Sequence, residues 1–390
     1  MPDGREAITV RVVTSLEDVD ARAWDTCAGE DNPFVSYSFL SALEDSGSAT
    51  GETGWACQHL IIEDGDGGYL GVAPIYVKSH SYGEYVFDWG WADAYERAGG
   101  QYFPKLLCGV PFTPVTGPRL MVAPNAVDHE NDIRAALCAA MVQIAERLKL
   151  SSIHINFSTK PEWDLMGEMS FLLRQGQQFH WENNGYATFD DFLAGLSSRK
   201  RKNIRKERAK VTDIGLNIRA LTGDEITEGH WDAFYKFYRN TSDRKWGSAY
   251  LNRRFFSMLG ERCKDSVVLI YAEADGLPVA GALNLAGSDT LFGRNWGCAA
   301  QFKFLHFEAC YYQAMDYAIA HGLKRVEAGA QGPHKIQRGY LPSATYSAHW
   351  IADKSFRSAV EQFLKEERQG VEYEMELIAK HSPFRKEDGG

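Results

Sequence analysis

An internal repeat of strand and turn signals is the feature that most constrains the fold of this 390-residue chain. In the first half, the apolar runs 60–63 and 70–76 flank an Asp- and Gly-rich turn, and in the second half the runs 269–272 and 279–285 flank an Asp-Gly turn. Each pattern predicts a β-hairpin, because Asp-Gly favours the tight turns that join antiparallel strands. Two similar hairpins in one chain indicate a duplicated unit.

The elements that surround the two hairpins follow the same order. The sequence predicts two amphipathic helices before each hairpin, and a third strand, a long helix and a short strand after it. In the first half these elements are expected at residues 16–28, 35–46, 86–90, 133–148 and 152–157. In the second half they are expected at 225–241, 248–262, 292–297, 307–320 and 325–328. The first copy carries an additional Pro-rich stretch at 104–124.

The repeat predicts a mixed α/β (α+β) chain with two related domains. The first domain is expected at residues 1–182 and the second at 215–390, joined by a linker and a basic helix at 183–214. A long helix at 354–380 carries Glu and Lys at i, i+4 spacing and is expected to pack against the second domain.

Composition and cysteine spacing exclude several classes of protein. Apolar residues make up 44% and charged residues 24%, which is typical of a globular protein. We expect a cytoplasmic protein, because no apolar run approaches the length of a membrane helix and the N-terminus has no signal-peptide pattern. The seven cysteines have no metal-ligand spacing, so reduced thiols and no metal site are expected.

A short basic segment stands out in this acidic chain. Residues 199–210 contain eight basic residues and one acidic residue, which gives a local charge of +7 and leaves −17 on the rest of a chain of net charge −10. Such a helix could bind a polyanion such as tRNA. A solvated helix that keeps the protein soluble is the alternative interpretation. The candidate polyanion-binding residues are Arg199, Lys200, Arg201, Lys202, Arg205 and Lys206.

The aromatic segment 81–97 contains the first candidate catalytic carboxylate. The alternation of residues predicts a strand that ends at Asp88, and a carboxylate at the end of an apolar strand must be hydrogen-bonded or used. Asp88 is therefore a candidate general base or amine anchor, or else a cap for the helix that follows. The candidate substrate-binding residues of this segment are Trp89, Trp91, Asp93 and Tyr95.

The second candidate segment runs from residue 327 to residue 340. Glu327 ends a predicted strand, and a Gly-rich turn containing Gln331 leads to His334 and Lys335. Sites in α/β proteins gather where strands end, so Lys335 could stabilise an oxyanion and His334 could carry a proton. The alternative is a Gly-rich turn with surface charges. Arg294 ends the preceding strand and could pair with Glu327.

Two further residues lie near the start of the second long helix. His306 and Glu308 follow Trp296 along the chain and could bind substrate. Both also suit a structural role, because a glutamate near a helix N-terminus is favoured by the helix dipole. The sequence has no phosphate-binding P-loop, no dinucleotide-binding Gly-x-Gly-x-x-Gly and no Gly-x-Ser-x-Gly elbow, which argues against nucleotide hydrolysis, dinucleotide redox chemistry and serine hydrolysis.

Three of these segments, residues 79–89, 197–205 and 327–335, resemble the FemAB-like family of peptidoglycan biosynthesis and recognition proteins. The resemblance extends from about residue 33 to residue 385. It implies two tandem GNAT-like (acyl-CoA N-acyltransferase) domains with mixed central sheets, and transfer of an acyl group to an amine in a cleft between them. Lys335 matches a lysine that such transferases carry after the last strand of the second domain, and Asp88 or Asp93 is the best match for the acidic residue of the first.

The resemblance also limits the donor and the acceptor. Residues 297–304 lack the glycines with which GNAT enzymes bind the pyrophosphate of acetyl-CoA, so aminoacyl-tRNA is expected as co-substrate in preference to acyl-CoA, with no bound cofactor. The expected acceptor is a small peptide or amine related to peptidoglycan. The alternative is a recognition module that binds a peptide or RNA through Trp89, Trp91, Tyr95 and Trp296 without catalysis.

Overall fold

The structure is a computed structural model that describes residues 8–245, 249–300, 302–329 and 332–385. Its strands are β1 Val10–Val13, β2 Trp55–Cys57, β3 His59–Glu63, β4 Tyr69–Ala73, β5 Ile75–Lys78, β6 Lys105–Cys108, β7 Met121–Val122, β8 Ser152–Ser158, β9 Leu172–Glu182, β10 Asn217–Thr222, β11 Val267–Ala274, β12 Leu277–Ala286, β13 Thr290–Cys298, β14 Arg325–Glu327 and β15 Leu341–Ile351. Its helices are α1 Ala21–Ala28, α2 Tyr37–Asp45, α3 Trp89–Arg97, α4 Glu130–Arg147, α5 Lys160–Glu168, α6 Phe189–Gly195, α7 Ser198–Asp213, α8 Glu228–Lys245, α9 Arg253–Arg262, α10 Leu305–Phe307, α11 Gln313–Ala320 and α12 Lys354–Ala379. The mixed α/β class is confirmed.

The chain forms two compact units, which differ from the expected domains. Unit 1 contains residues 1–176 and 345–371, and unit 2 contains residues 177–344 and 372–390. The expected boundaries, 1–182 and 215–390, assumed that each half of the sequence forms one unit. The structure instead assigns most of β15 and most of α12 to unit 1, and the second half of β9 to unit 2.

The two units share part of their strand topology. In unit 2, β10, β11, β12 and β13 are antiparallel neighbours, β14 is parallel to β13, and β9 is antiparallel to β14. In unit 1, β5 and β6 are antiparallel, β8 is parallel to β6, and β15 is antiparallel to β8. The hairpin of β3 and β4 belongs to a second sheet with the order β1-β3-β4-β7. In both units a long helical segment precedes the parallel strand, as the repeat predicted.

The final strand of each unit is supplied by the other half of the sequence. β9 follows the first half of the chain and pairs with β14 in unit 2, where Trp181 lies opposite Val326. β15 follows the second half and pairs with β8 in unit 1, where His349 lies opposite His154. The two halves of the sequence therefore exchange their last strands, β9 and β15.

One sequence expectation is wrong, and the expected packing of the C-terminal helix against the second domain holds only for its C-terminal part, where Ile378 contacts the core of unit 2. No strand forms at 86–90, because Asp88 is buried at the start of α3 and the third strand of this unit is β6. The N-terminal part of α12 packs in unit 1, since Val360 and Leu364 share a hydrophobic cluster with Trp91 and Tyr102. The periodicity identified α12 but gave no information on which unit it would contact, and α3 was not among the expected elements.

The basic helix forms as expected and is held by its apolar stripe. Ile204 and Val211 of α7 are both buried, as is Leu196 just before the helix. Ser197 occupies the N-cap position without a side-chain hydrogen bond. Because the apolar stripe fixes one face of α7 to unit 2, most of the cations lie on its other faces.

Candidate functional site

Lys335 lies in a 3₁₀ turn, Pro333–Arg338, that follows β14 in unit 2. The residue is only 4% exposed, and its Nζ donates hydrogen bonds to the carbonyl oxygens of Ala328 and Gly329, the latter at 3.0 Å. Burial lowers the pKa of Lys335 to about 8. The amine is thus fixed at the carboxyl end of a strand, and both its charged and its neutral forms are populated near neutral pH.

His334 lies beside Lys335 in an aromatic environment. Its Nε2 is 3.0 Å from the hydroxyl oxygen of Tyr311, and its ring packs near Phe307 and His306. Burial, and after it the nearby cations of Arg338 and Lys335, lower the pKa of His334. The imidazole is therefore mainly neutral near pH 7 and can accept a proton.

Glu327 ends β14 and is buried opposite His180 of β9. The Nε2 of His180 is 3.8 Å from Oε1 of Glu327. Burial lowers the pKa of His180 to about 3, so this imidazole is neutral and the contact is not an ion pair. The structure brings Glu327, His334 and Lys335 to one end of β14. Whether they act in catalysis stays a prediction.

A π-helical turn, Glu308–Tyr312, interrupts the long helix between α10 and α11. Glu308 is buried and its Oε1 accepts hydrogen bonds from Arg208 of α7 at 2.9 Å and from Gln313 at 2.8 Å. Burial raises the pKa of Glu308. A π turn shifts side chains from the regular helical positions and is common at functional sites, which sequence periodicity does not reveal.

Glu207 of α7 is held by a second set of contacts. Its carboxylate accepts two hydrogen bonds from Nη2 of Arg338, at 2.8 and 2.9 Å, and one from the hydroxyl of Tyr312 at 2.5 Å. The guanidinium of Arg338 lies 3.4 Å from the ring centre of Phe307. The one acidic residue of the basic segment is therefore bound inside unit 2.

The cations of α7 fall into two groups. Arg208 pairs with Glu308 and Asp316, and Arg205 pairs with Asp190 at 2.8 Å. In the part of the chain that the structure describes, no ion pair engages the five other candidate cations. Of these, Lys200 and Arg201 are half-buried, and the exposed ones are Arg199, Lys202 and Lys206.

The predicted carboxylate Asp88 belongs to a buried network in unit 1. The Nζ of Lys105, which is fully buried, donates hydrogen bonds to Ser81 at 2.7 Å, to Glu84 at 2.8 Å and to Asp88 at 2.5 Å. The hydroxyl of Tyr102 donates a further bond to Asp88 at 2.7 Å. Both donors contact Oδ2 of Asp88, whereas its buried Oδ1 has no hydrogen-bond partner among the described residues.

Charge and burial in this network shift the pKa values of its ionisable side chains. Although burial acts in the opposite direction, the ammonium of Lys105 holds the pKa of Asp88 well below its usual range. Burial raises the pKa of Glu84 to about 7 and lowers the pKa of Lys78 to about 7. A carboxylate with a lowered pKa is a weak base, so the surroundings of Asp88 favour an anchoring role over proton abstraction.

The other predicted residues of unit 1 have different environments. Trp91 is buried and contacts the ring of His349. Tyr95 packs against Phe356, and Asp93 is exposed and pairs with Arg97. Trp89 is 42% exposed and contacts Tyr82. Of these four, Trp89 offers the most exposed ring.

The remaining predicted residues belong to the second half of the sequence. Arg294 and Trp296 are half-buried on β13, and the ring of Trp296 contacts His306. Gln331 lies outside the described residues. The pairing of Arg294 with Glu327 stays a prediction.

Several residues of these networks were not identified from the sequence. In unit 1 they include a lysine within an apolar strand, Lys105, and two histidines, His154 and His349, whose Nδ1 atoms lie 2.8 Å apart. In unit 2 they include Glu207 and Arg338. Two signals were available: Lys105 begins a strand that is otherwise Leu-Leu-Cys, and Glu207 is the one acid in a basic run.

Three side chains with metal-ligand chemistry, Glu44, Cys57 and His59, meet in unit 1. The Nδ1 of His59 accepts a hydrogen bond from the backbone of Ile75, so its Nε2 carries the proton and donates to Glu44 at 2.8 Å. These contacts account for the cluster as a structural hydrogen-bond network.

Among the helices described, none is long and apolar enough to cross a membrane.

Comparison with known proteins adds a family and three related folds. Residues 15–386 match the model of the FemAB-like family, described as peptidoglycan biosynthesis/recognition. The structure is similar to FemX (12% identity, TM-score 0.56, covering 91% of this chain and 100% of that one). It is also similar to the C-terminal domain of a lysylphosphatidylglycerol synthetase from Agrobacterium fabrum (8% identity, TM-score 0.55, covering 88% of this chain and 95% of that one). A third similar structure is L-PGS from Bacillus licheniformis (9% identity, TM-score 0.51, covering 92% of this chain and 99% of that one). The search of curated proteins gave no match.

Proposed function

The chain belongs to the FemAB-like family, and from that premise we propose that it is an N-acyltransferase that forms an amide by transferring an aminoacyl group from tRNA to an amine. The observation that carries this proposal is the buried amine of Lys335, fixed on two backbone carbonyls at the end of β14 with its pKa lowered to about 8. Such a group can place positive charge where an oxyanion develops.

The reaction requires one bond to form and one to break. The nitrogen of the acceptor attacks the carbonyl carbon of the donor ester, and the tetrahedral oxyanion then collapses as the carbon–oxygen bond to the ribose breaks. Two N–H groups of Lys335 bind carbonyls, and the third has no partner among the described residues, so it can donate to the oxyanion. The neutral imidazole of His334 can take the proton that the attacking amine loses and then give it to the ribose oxygen as the carbon–oxygen bond breaks, so that the ribose leaves as an alcohol.

The basic helix supports a polyanionic donor. Arg199, Lys202 and Lys206 are exposed cations on a chain whose net charge is −10. Like charges on one helix repel each other, and a phosphate backbone would relieve that repulsion. An acyl-CoA donor and a peptide-binding module without catalysis are the two competing outcomes.

The experiment offers the purified protein aminoacyl-tRNA or acyl-CoA together with peptidoglycan precursor peptides, and detects the new amide by mass spectrometry. We expect product with aminoacyl-tRNA, and Lys335→Ala should lower kcat by about 100-fold or more, as for the loss of an oxyanion donor. Lys324→Ala is the matched control, because Lys324 is an exposed lysine of the same unit.

Three results would contradict the proposal. Product formed with acyl-CoA but not with aminoacyl-tRNA would show that acyl-CoA is the donor. Peptide binding without product from any donor would favour the recognition module. Near-normal turnover in the Lys335→Ala variant would remove Lys335 from the mechanism.

A further inference from the structure

The acidic residue within the basic segment of α7 is bound to the turn that carries Lys335. Both carboxylate oxygens of Glu207 accept from one nitrogen, Nη2 of Arg338, and the two side chains are only 17% and 8% exposed. Hydrogen bonds between two ionised groups are roughly twice as strong as those between neutral groups. A pair of this kind restrains the position of both elements that it joins.

Arg338 transmits this restraint to the residue next to Lys335. Its Nη1 donates a 2.8 Å hydrogen bond to the carbonyl oxygen of His334, in the same 3₁₀ turn. The ring of Phe307, 3.4 Å from the guanidinium carbon, holds the plane of the guanidinium. One side chain therefore links the carboxylate of α7 to the backbone immediately before Lys335.

Tyr312 fixes the other side of the pair. Its hydroxyl donates to Oε2 of Glu207 at 2.5 Å, and the residue belongs to the π turn. The carboxylate of Glu207 is thus held by donors from two elements, the π turn and the 3₁₀ turn. This arrangement leaves it little freedom to rotate.

We propose that Glu207 is a positioning residue that acts through Arg338 to hold the amine of Lys335 on the carbonyls of Ala328 and Gly329. The inference rests on the proposed function, in which Lys335 acts in transfer. It adds a role for the one acid of the basic segment, and it links the helix that would bind a polyanionic donor to the turn that holds the reactive amine.

The test measures Lys335 directly and needs no substrate. The full-length protein is treated with an amine-acylating reagent at pH 8, and the modification of Lys335 over time is quantified by peptide mass spectrometry. The variants are Glu207→Gln, Arg338→Gln and the double variant, with Lys210→Gln as the control because Lys210 is an exposed lysine of α7. Tyr312→Phe, which removes one hydrogen bond to Glu207, serves if the larger changes prevent folding.

We expect each single variant to increase the labelling rate of Lys335 by at least about threefold, because the amine is released from its carbonyls. The double variant should equal the larger single effect, since contacting residues that act through one pair are not additive. The control should match the wild type. An unchanged rate in a folded Glu207→Gln protein, or single effects that multiply, would overturn the proposal.

Activity then separates this inference from the proposed function. Where transfer is observed, Glu207→Gln should lower kcat with little change in the KM for the donor, and Arg338→Lys should retain part of the rate. An increase in the KM for the donor with kcat unchanged would contradict the positioning role. If Lys335→Ala retains full turnover, the proposed function fails, while the labelling rates still show whether Glu207 positions the amine.

Discussion

Replacement of Lys105 by methionine tests the reasoning about the buried network of unit 1. The ammonium of Lys105, which has no solvent exposure, donates three hydrogen bonds to the buried residues Ser81, Glu84 and Asp88. Methionine fills a similar volume without the charge. The variant therefore leaves two carboxylates buried without their counter-ion.

The structure allows the size of this effect to be estimated. Removal of one partner from a buried ion pair typically costs about 3–5 kcal/mol of unfolding free energy, because the remaining charge is uncompensated. For a domain of this size that corresponds to a decrease in Tm of roughly 6–20 °C. The loss should be smaller near pH 4, where the freed carboxyl groups become protonated.

The assay is thermal and urea unfolding at pH 7.5 and at pH 4.5, followed by circular dichroism. The matched control is Lys160→Met, because Lys160 pairs with Asp164 in the same unit but both side chains are about half exposed. Exposed pairs contribute about 0–1 kcal/mol, so the control should remain close to the wild type. A Lys105→Met variant as stable as this control would refute the assignment of Lys105 as the counter-ion of the network.

Two further predictions concern pH and salt. Burial places the pKa of Glu84 at about 7, above its unfolded value, so this carboxyl contributes a loss of stability as the pH rises from about 4.5 to 7. The imidazoles of His154, His180 and His349, whose pKa values burial lowers, contribute a gain of stability over the same range. In urea unfolding, Glu84→Gln should therefore make stability rise more steeply with pH than in the wild type, and an unchanged slope would contradict the shift. Charge reversal of Arg199 and Lys202 should weaken tRNA binding and reduce its dependence on log salt by about 1 for each lost phosphate contact. Reversal of the exposed Lys354, on α12, and Lys380, just after it, is the control, and an equal loss in both pairs would show that only net charge matters.

Local sequence signals predicted most of the helices correctly, but they missed many of the strands, including β9 and β15. The Asp-Gly turns marked the hairpins, helical spacing marked α4, and the apolar stripe of Ile204 and Val211 marked the buried face of α7. These signals are local, because each depends on residues within a few turns of one element. The mixed α/β class follows from their order along the chain.

The errors arose where non-local contacts decide the structure. The stretch around Asp88 alternates like a strand, yet burial of its carboxylate against Lys105 and Tyr102 places it before α3 instead. Similarly, nothing in the periodicity of α12 distinguishes the partner of Val360. Lys335 was identified because its motif lies in one segment, whereas Glu207 and Arg338 are 131 residues apart and become partners only in the folded chain.

The exchange of final strands has a consequence for synthesis on the ribosome. β8 is complete at Ser158, but its neighbour β15 begins only at Leu341, roughly 180 residues later. At about 5–20 residues per second, the nascent chain waits roughly 10–40 s with this strand edge uncovered. An uncovered edge can pair with other chains, so expression of residues 1–182 alone should yield aggregates, whereas supply of the second half in trans should rescue solubility.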